Sequence, residues 1–131
     1  MIIGLGIDSV EIERFTSWYD YPEQQLLKIL SMPEIEYCKE NKQLSAQRFA
    51  VRFAAREAFF KAFNSSLPEI YIPFLTCCRS LTLTHNHHGA PQLHINWKLL
   101  GFSEPQCTPL ISLTHTGTTA SASILLQKVS R

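Results

Sequence analysis

Ser45-Ala46-Gln47-Arg48-Phe49-Ala50-Val51-Arg52-Phe53-Ala54-Ala55-Arg56-Glu57-Ala58-Phe59-Phe60-Lys61-Ala62-Phe63 runs without glycine or proline and predicts one long helix. Ser45 is a plausible N-cap for it. At about 100° per residue, Phe49, Phe53 and Phe60 gather on one side, and Ala50, Ala54 and Ala58 line an adjoining strip. Glu57 and Lys61 fall between these groups, four residues apart and therefore on one face. One reading of this pair is a solvated salt bridge worth about 0.3–0.5 kcal/mol. The other is an acid and a base on a small-residue surface, too costly to cover unless paired or bound to something. The alanines favour the second, because they leave room over the pair that a solvated face does not require.

The same segment is basic. Arg48, Arg52, Arg56 and Lys61 stand against Glu57 alone, a net +3, whereas the whole chain is +1 and the remainder therefore −2. Positive charge concentrated on one element suits phosphate or an acidic protein partner. A nucleic-acid binder calls for a larger overall excess and exposed stacking aromatics, neither of which is evident.

Upstream, Met1 to Ile7 reads as a strand. Its period of two places Gly4, Gly6 and Asp8 on one face, and Ile3, Leu5 and Ile7 on the other. A strand face stripped of side chains invites close approach by a ligand or another backbone, and Asp8 terminates it. A short helix is expected over about Val10 to Trp18. A second, opened by Asp20 and Pro22, carries Leu26, Leu27, Ile29 and Leu30. A third, restarted at Ser31 and Pro33, holds Ile35, Tyr37 and Cys38. Nothing in the spacing of these three demands chemistry.

Downstream the pattern is β: Glu69 to Thr76, Ser80 to Thr84, and Gln92 to Trp97, the latter two joined through Asn86 to Pro91. Leu110 to Thr116 and Ala120 to Gln127 form another hairpin around Gly117, with Ile111, Leu113 and His115 on one face and Ser112, Thr114 and Thr116 on the other. Strand, helices, then strands predicts an α+β fold with an antiparallel sheet and a long central helix, one domain over residues 1–131.

At 131 residues and 45% hydrophobic the chain can build a real core, and its 18% of charged residues falls below the usual share of about 25%. That deficit is consistent with surface covered by another chain, and equally with a surface that is simply mild in charge. Cys38, Cys77, Cys78 and Cys107 form no Cys-x-x-Cys pair and are read as reduced packing residues. His85, His87 and His88 read as a polar hairpin tip. No apolar run reaches the ~18–20 residues of a membrane span, and no basic leader precedes Asp8, so a cytoplasmic address is expected.

Three segments together resemble the holo-acyl-carrier-protein synthase family of phosphopantetheinyl transferases: Gly4-Leu5-Gly6-Ile7-Asp8-Ser9-Val10-Glu11-Ile12, Arg52-Phe53-Ala54-Ala55-Arg56-Glu57-Ala58-Phe59-Phe60-Lys61-Ala62-Phe63, and Ser112-Leu113-Thr114-His115. Their order, the chain length and the Gly89-Ala90-Pro91 turn fit as well, so the resemblance spans nearly the whole chain. It implies an enzyme that moves the phosphopantetheine arm of coenzyme A onto a serine of an acyl carrier protein, releasing adenosine 3',5'-bisphosphate. By the same resemblance, Asp8 and Glu57 are the metal-binding carboxylates, for Mg2+, and Lys61 contacts the pyrophosphate. His115 and Ser112 face the coenzyme from the neighbouring subunit of a homotrimer, and Arg14 meets the acidic carrier. Asp8, Glu57, Lys61 and His115 are thus the expected catalytic set. Arg52, Arg56, Ser65, Ser112 and Thr114 join Lys61 and His115 as expected coenzyme contacts. The base for the carrier serine is either Glu57 or a metal-bound hydroxide.

Two departures stand out. The family usually has lysine before the motif glutamate, where this chain has Arg56, and a planar fork differs from a point charge. The family often follows the helix with a glycine-rich loop, where this chain reads Asn64-Ser65-Ser66-Leu67-Pro68. That second departure leaves an alternative expectation, a non-catalytic trimer that binds coenzyme A or phosphate on the same fold.

Overall fold

A computed structural model describes residues 1–129. Strand β1 (Ile2–Glu11) leads into a 3-10 helix (Ile12–Asp20), the short α1 (Glu23–Leu26), α2 (Met32–Glu40) and the long α3 (Lys42–Ser66). There follow α4 (Phe74–Ser80), the strands β2 (Leu81–His85) and β3 (Pro91–Ile95), a 3-10 turn (Trp97–Leu100), and β4 (Cys107–His115) with β5 (Thr119–Lys128). An antiparallel sheet of order β1-β5-β4 carries α3 on one face, and β2 and β3 make a separate hairpin.

The bare face of β1 meets a backbone rather than a ligand. A side-chain carbon at Gly6 would collide with the carbonyl oxygen of Ala58, and one at Gly4 would stand 2.5 Å from that of Ala62. Ala58 and Ala62 present only methyl groups there, so strand and helix approach as closely as their backbones allow. In register with the glycines, Ile124 and Leu126 of β5 face the helix, as do Ala120 and Ala122 next to Val10 and Asp8. All four are fully buried.

The flank of α3 holding Phe49, Phe53 and Phe60 packs as an aromatic cluster. Trp18 lies 5.7 Å from Phe49 and 5.9 Å from Phe53, and Phe74 lies 5.8 Å from Phe53 and 5.5 Å from Phe60, between ring centres. Such edge-on contacts add to the burial of the rings themselves. All four cysteines are buried free thiols, with Cys38, Cys77 and Cys78 pushed up to about 12 by burial. No helix among the described residues is long and apolar enough to cross a membrane.

Several sequence expectations are corrected. Glu69 to Thr76 is not a strand: irregular chain leads to Pro73, which precedes the first turn of α4, the position where its missing N–H costs nothing. Helix α3 starts earlier than Ser45, because the Asn41 side chain accepts from the N–H groups of Gln43 and Leu44. Ser45 is buried inside the helix instead. The helix expected at Val10 begins at Ile12 and is 3-10, since β1 keeps its pairing with β5 through Glu11. The run Leu26 to Leu30 is helical only as far as Leu26.

Candidate active site

The close fit of β1 on α3 determines where Asp8 stands. It is the next residue on the glycine face, one strand step beyond Gly6, and it reaches the turn of α3 that carries Glu57 and Lys61. Lys61 Nζ donates to Asp8 Oδ1 at 3.1 Å and to the carbonyl oxygen of Ile7 at 3.1 Å. Glu57 is half-buried beside them. Burial, with the Asp8 charge, raises its carboxyl above the ordinary 4.5, while Lys61 and Arg14 pull it back. Asp8, Glu57 and Lys61 therefore form one electrostatic group, with Arg14 close enough to act on it. The Arg14 guanidinium itself lies 5.4 Å from the Phe15 ring and 5.8 Å from that of Phe53, on the exposed side of the first 3-10 helix.

Two carboxylates that repel one another, with a single lysine beside them, suit a hard divalent cation. No group of three or more metal-ligating side chains gathers among the described residues. An octahedral ion would then take its remaining ligands from water and from phosphate oxygens, the arrangement Mg2+ favours. The donor set fits that ion.

A second site lies elsewhere on α3. Tyr37, Gln47, Arg48, Arg52, His85 and His115 line a cavity of about 310 Å³ between α2, α3, the β2–β3 hairpin and the end of β4. The Gln47 amide donates to His115 Nε2 at 3.1 Å. Burial and the Arg52 charge hold His85 below its usual range. The cavity is cationic, and Arg52 and His115, both expected at the coenzyme, line it together.

The remaining expected contacts separate. Arg56 is fully buried and bonded within the protein: Nη2 donates to Glu34 Oε1 at 2.7 Å and to Leu81 O at 2.9 Å, Nη1 to Glu34 Oε2 at 2.9 Å, and Nε to Cys78 O at 3.3 Å. It is a structural arginine and cannot contact a coenzyme. Its bidentate grip on a carboxylate is also what a lysine could not reproduce. Ser112 and Thr114 lie on the outer face of the sheet, opposite to His115, as strand alternation requires. One chain cannot aim all three at one ligand from the same side. Ser65 stands one helical turn beyond Lys61, and its hydroxyl donates to Ala62 O at 3.0 Å. In place of a glycine loop, α3 runs on to Ser66, and Asn64 ties the following segment back through bonds to both the N–H and the carbonyl of Ile72.

Sequence reasoning missed Glu34, Tyr37 and Gln47. Ser31 and Glu34 have capping-box spacing, which announces a helix start, but the pattern holds no sign that the same carboxylate reaches Arg56 in the core.

The chain resembles proteins of one family. The sequence profile described as the 4'-phosphopantetheinyl transferase superfamily matches residues 4–120. The holo-(acyl-carrier-protein) synthase of Trichlorobacter lovleyi is 38% identical over 130 residues, covering 97% of this chain and 98% of its own. That of Treponema denticola is 33% identical over 129 residues, covering 97% and 99%. Among solved structures, the acyl carrier protein synthase of Mycobacterium tuberculosis is 25% identical with a TM-score of 0.70, covering 98% of this chain and 100% of its own. The chain belongs to the 4'-phosphopantetheinyl transferase superfamily and, within it, to the holo-(acyl-carrier-protein) synthases.

Proposed function

We propose that this chain, as a single domain over residues 1–131, transfers the 4'-phosphopantetheine arm of coenzyme A to a serine of apo acyl carrier protein in a Mg2+-dependent reaction. The observation that carries this reading is the meeting of Asp8, Glu57 and Lys61 where β1 crosses α3. The serine oxygen attacks the phosphorus on the pantetheine side of the pyrophosphate. That phosphorus loses its bond to the bridging oxygen, and adenosine 3',5'-bisphosphate leaves with the electron pair. Asp8 and Glu57 would hold Mg2+, which when bound would supply charge neutralisation at the pyrophosphate. Lys61 Nζ, drawn to Asp8 in the free chain, turns its charge to the leaving phosphate. Glu57, half-buried beside Asp8 and Lys61, is the candidate base for the serine proton.

The reading includes a homotrimer with sites between chains, in the cytoplasm. The outer face of the sheet supports the assembly: Leu5 is 59% exposed, Ile7 57% and Leu110 51%, on the side away from α3. So much apolar surface on one sheet face suits burial against another copy. Association also joins what one chain keeps apart, setting the Arg52–His115 cavity of one copy beside the carboxylates of the next. Arg14 is the contact for the acidic carrier. Ser65, Ser112 and Thr114 are further coenzyme contacts in this assembly, Ser112 from the neighbouring chain.

The test is mass spectrometry of apo carrier protein incubated with this protein, coenzyme A and Mg2+. A gain of one phosphopantetheine is expected, absent without Mg2+ and absent in the Asp8→Ala variant. An unmodified carrier where an active synthase succeeds overturns the reading.

A further inference from the structure

Arg52 is 4% exposed, yet it is not held as Arg56 is. Its Nη1 donates to the Arg48 carbonyl oxygen at 3.2 Å, while its buried Nε has no hydrogen-bond acceptor among the described residues. The nearest anion is Glu34, whose Oε2 stands 3.6 Å from that nitrogen, within ion-pair range but too far for a bond. Glu34 is itself immobilised. Its Oε1 accepts from the Ser31 hydroxyl at 2.7 Å, and Arg56 clamps both of its oxygens. Three residues after Glu34 on α2, the Tyr37 ring lies 4.8 Å from the Arg52 guanidinium and 3.9 Å from that of Arg48. Two buried guanidiniums thus share one carboxylate, and Arg56 has taken most of it. The surplus positive charge belongs to Arg52, a residue of the cavity wall, while its unfilled Nε is turned inward to Glu34. A buried cation only partly compensated, on a cavity wall, suits an anion entering that cavity.

We propose that Glu34 and Tyr37 are positioning residues for Arg52, fixing its guanidinium as a rigid receptor for a phosphate of coenzyme A. This rests on the transferase reading. There the pyrophosphate lies with Lys61, so the phosphate left for the second cavity is the one on the ribose. Glu34 sets the distance of the guanidinium from the cavity wall, and the Tyr37 ring sets its plane. A planar fork bonded at one edge to the Arg48 carbonyl, drawn at the other by the Glu34 charge and faced by the Tyr37 ring arrives at a phosphate oriented, with little freedom left to lose.

Calorimetric titration of coenzyme A and of dephospho-coenzyme A, which lacks the ribose phosphate, tests this with the full-length protein and two variants. In Glu34→Gln and in Tyr37→Leu the Kd for coenzyme A is expected to rise about tenfold, the effect of one misplaced charge-assisted bond. The Kd for dephospho-coenzyme A is expected to stay within about twofold. A role confined to folding weakens both ligands alike, and that result, or no change for either, overturns the proposal. Tyr37 is 40% exposed and makes no buried bond that folding needs, so its variant carries the test if Glu34→Gln does not fold. Binding is read without any transfer. Failure to modify a carrier therefore counts against the enzymatic reading alone, and failure to discriminate the two ligands against this proposal alone.

Discussion

The carbonyl oxygen of Ala58 fills the space that a side chain on Gly6 would need. This contact between α3 and β1 sets the height of the strand over the helix, and with it the distance from Asp8 to Glu57 and Lys61.

Gly6→Ala is therefore expected to cost stability and activity together. Overpacking of this kind costs about 1–3 kcal/mol or more, and here the obstacle is backbone that cannot rotate away. Gly117→Ala is the control, because a side chain there meets nothing within 4 Å. Thermal unfolding of the two variants should show a lowered midpoint for the first and none for the second.

Glu57 gives a pH signature in the metal-free protein. Its folded value lies above 4.5 because of burial and the Asp8 charge. The protonated form is favoured on folding, so its contribution is complete below about pH 4.5 and is lost as the pH rises through the folded value. Glu57→Gln should accordingly unfold at a higher temperature than the parent near pH 8, with the gap closing towards pH 4. Melting curves recorded in chelator across that range check it, while carrier modification by the variant should be absent.

Glu34 works in the opposite sense. Burial alone would raise its carboxyl, but Arg56, the hydrogen bonds and Arg52 override burial and leave it below 4.5. Its contribution is present above that value and lost as the pH falls through the lower, folded one. Arg56→Met should destabilise by about 3–5 kcal/mol near neutrality, the cost of stripping a buried pair of one partner. Denaturant titrations should show the deficit shrinking in acid.

The outer sheet face makes a prediction about assembly. A charge at Leu5 or Leu110 leaves the core and α3 untouched, since both side chains point away from the helix. Leu5→Glu and Leu110→Glu should convert a trimer into folded monomers by light scattering, with circular dichroism unchanged and transfer lost.

Much of this was legible in the chain. The glycine alternation ending at Asp8 and the four-residue spacing of Glu57 and Lys61 are local patterns, and they locate both halves of the carboxylate site. The basic character of α3 was legible too, but not its division of labour. Arg52 and Arg56 look equivalent in sequence, and only the folding of α2 onto α3 shows that Glu34 consumes one and leaves the other to the cavity. Ser112 and His115 were separable by strand period, yet the motif that contains them reads as one unit. Pro73 misled because the alternation around it imitates a strand, and the aromatic packing of Phe74 that favours a helix there is contributed by α3 from far along the chain.

The account depends on Asp8 and Glu57 gripping the same ion, and titration calorimetry of Mg2+ into the protein saturated with coenzyme A measures that directly. One ion per active site is expected for the parent, with binding abolished equally by Asp8→Ala and by Glu57→Ala. Retention of parental affinity and stoichiometry in either variant contradicts it.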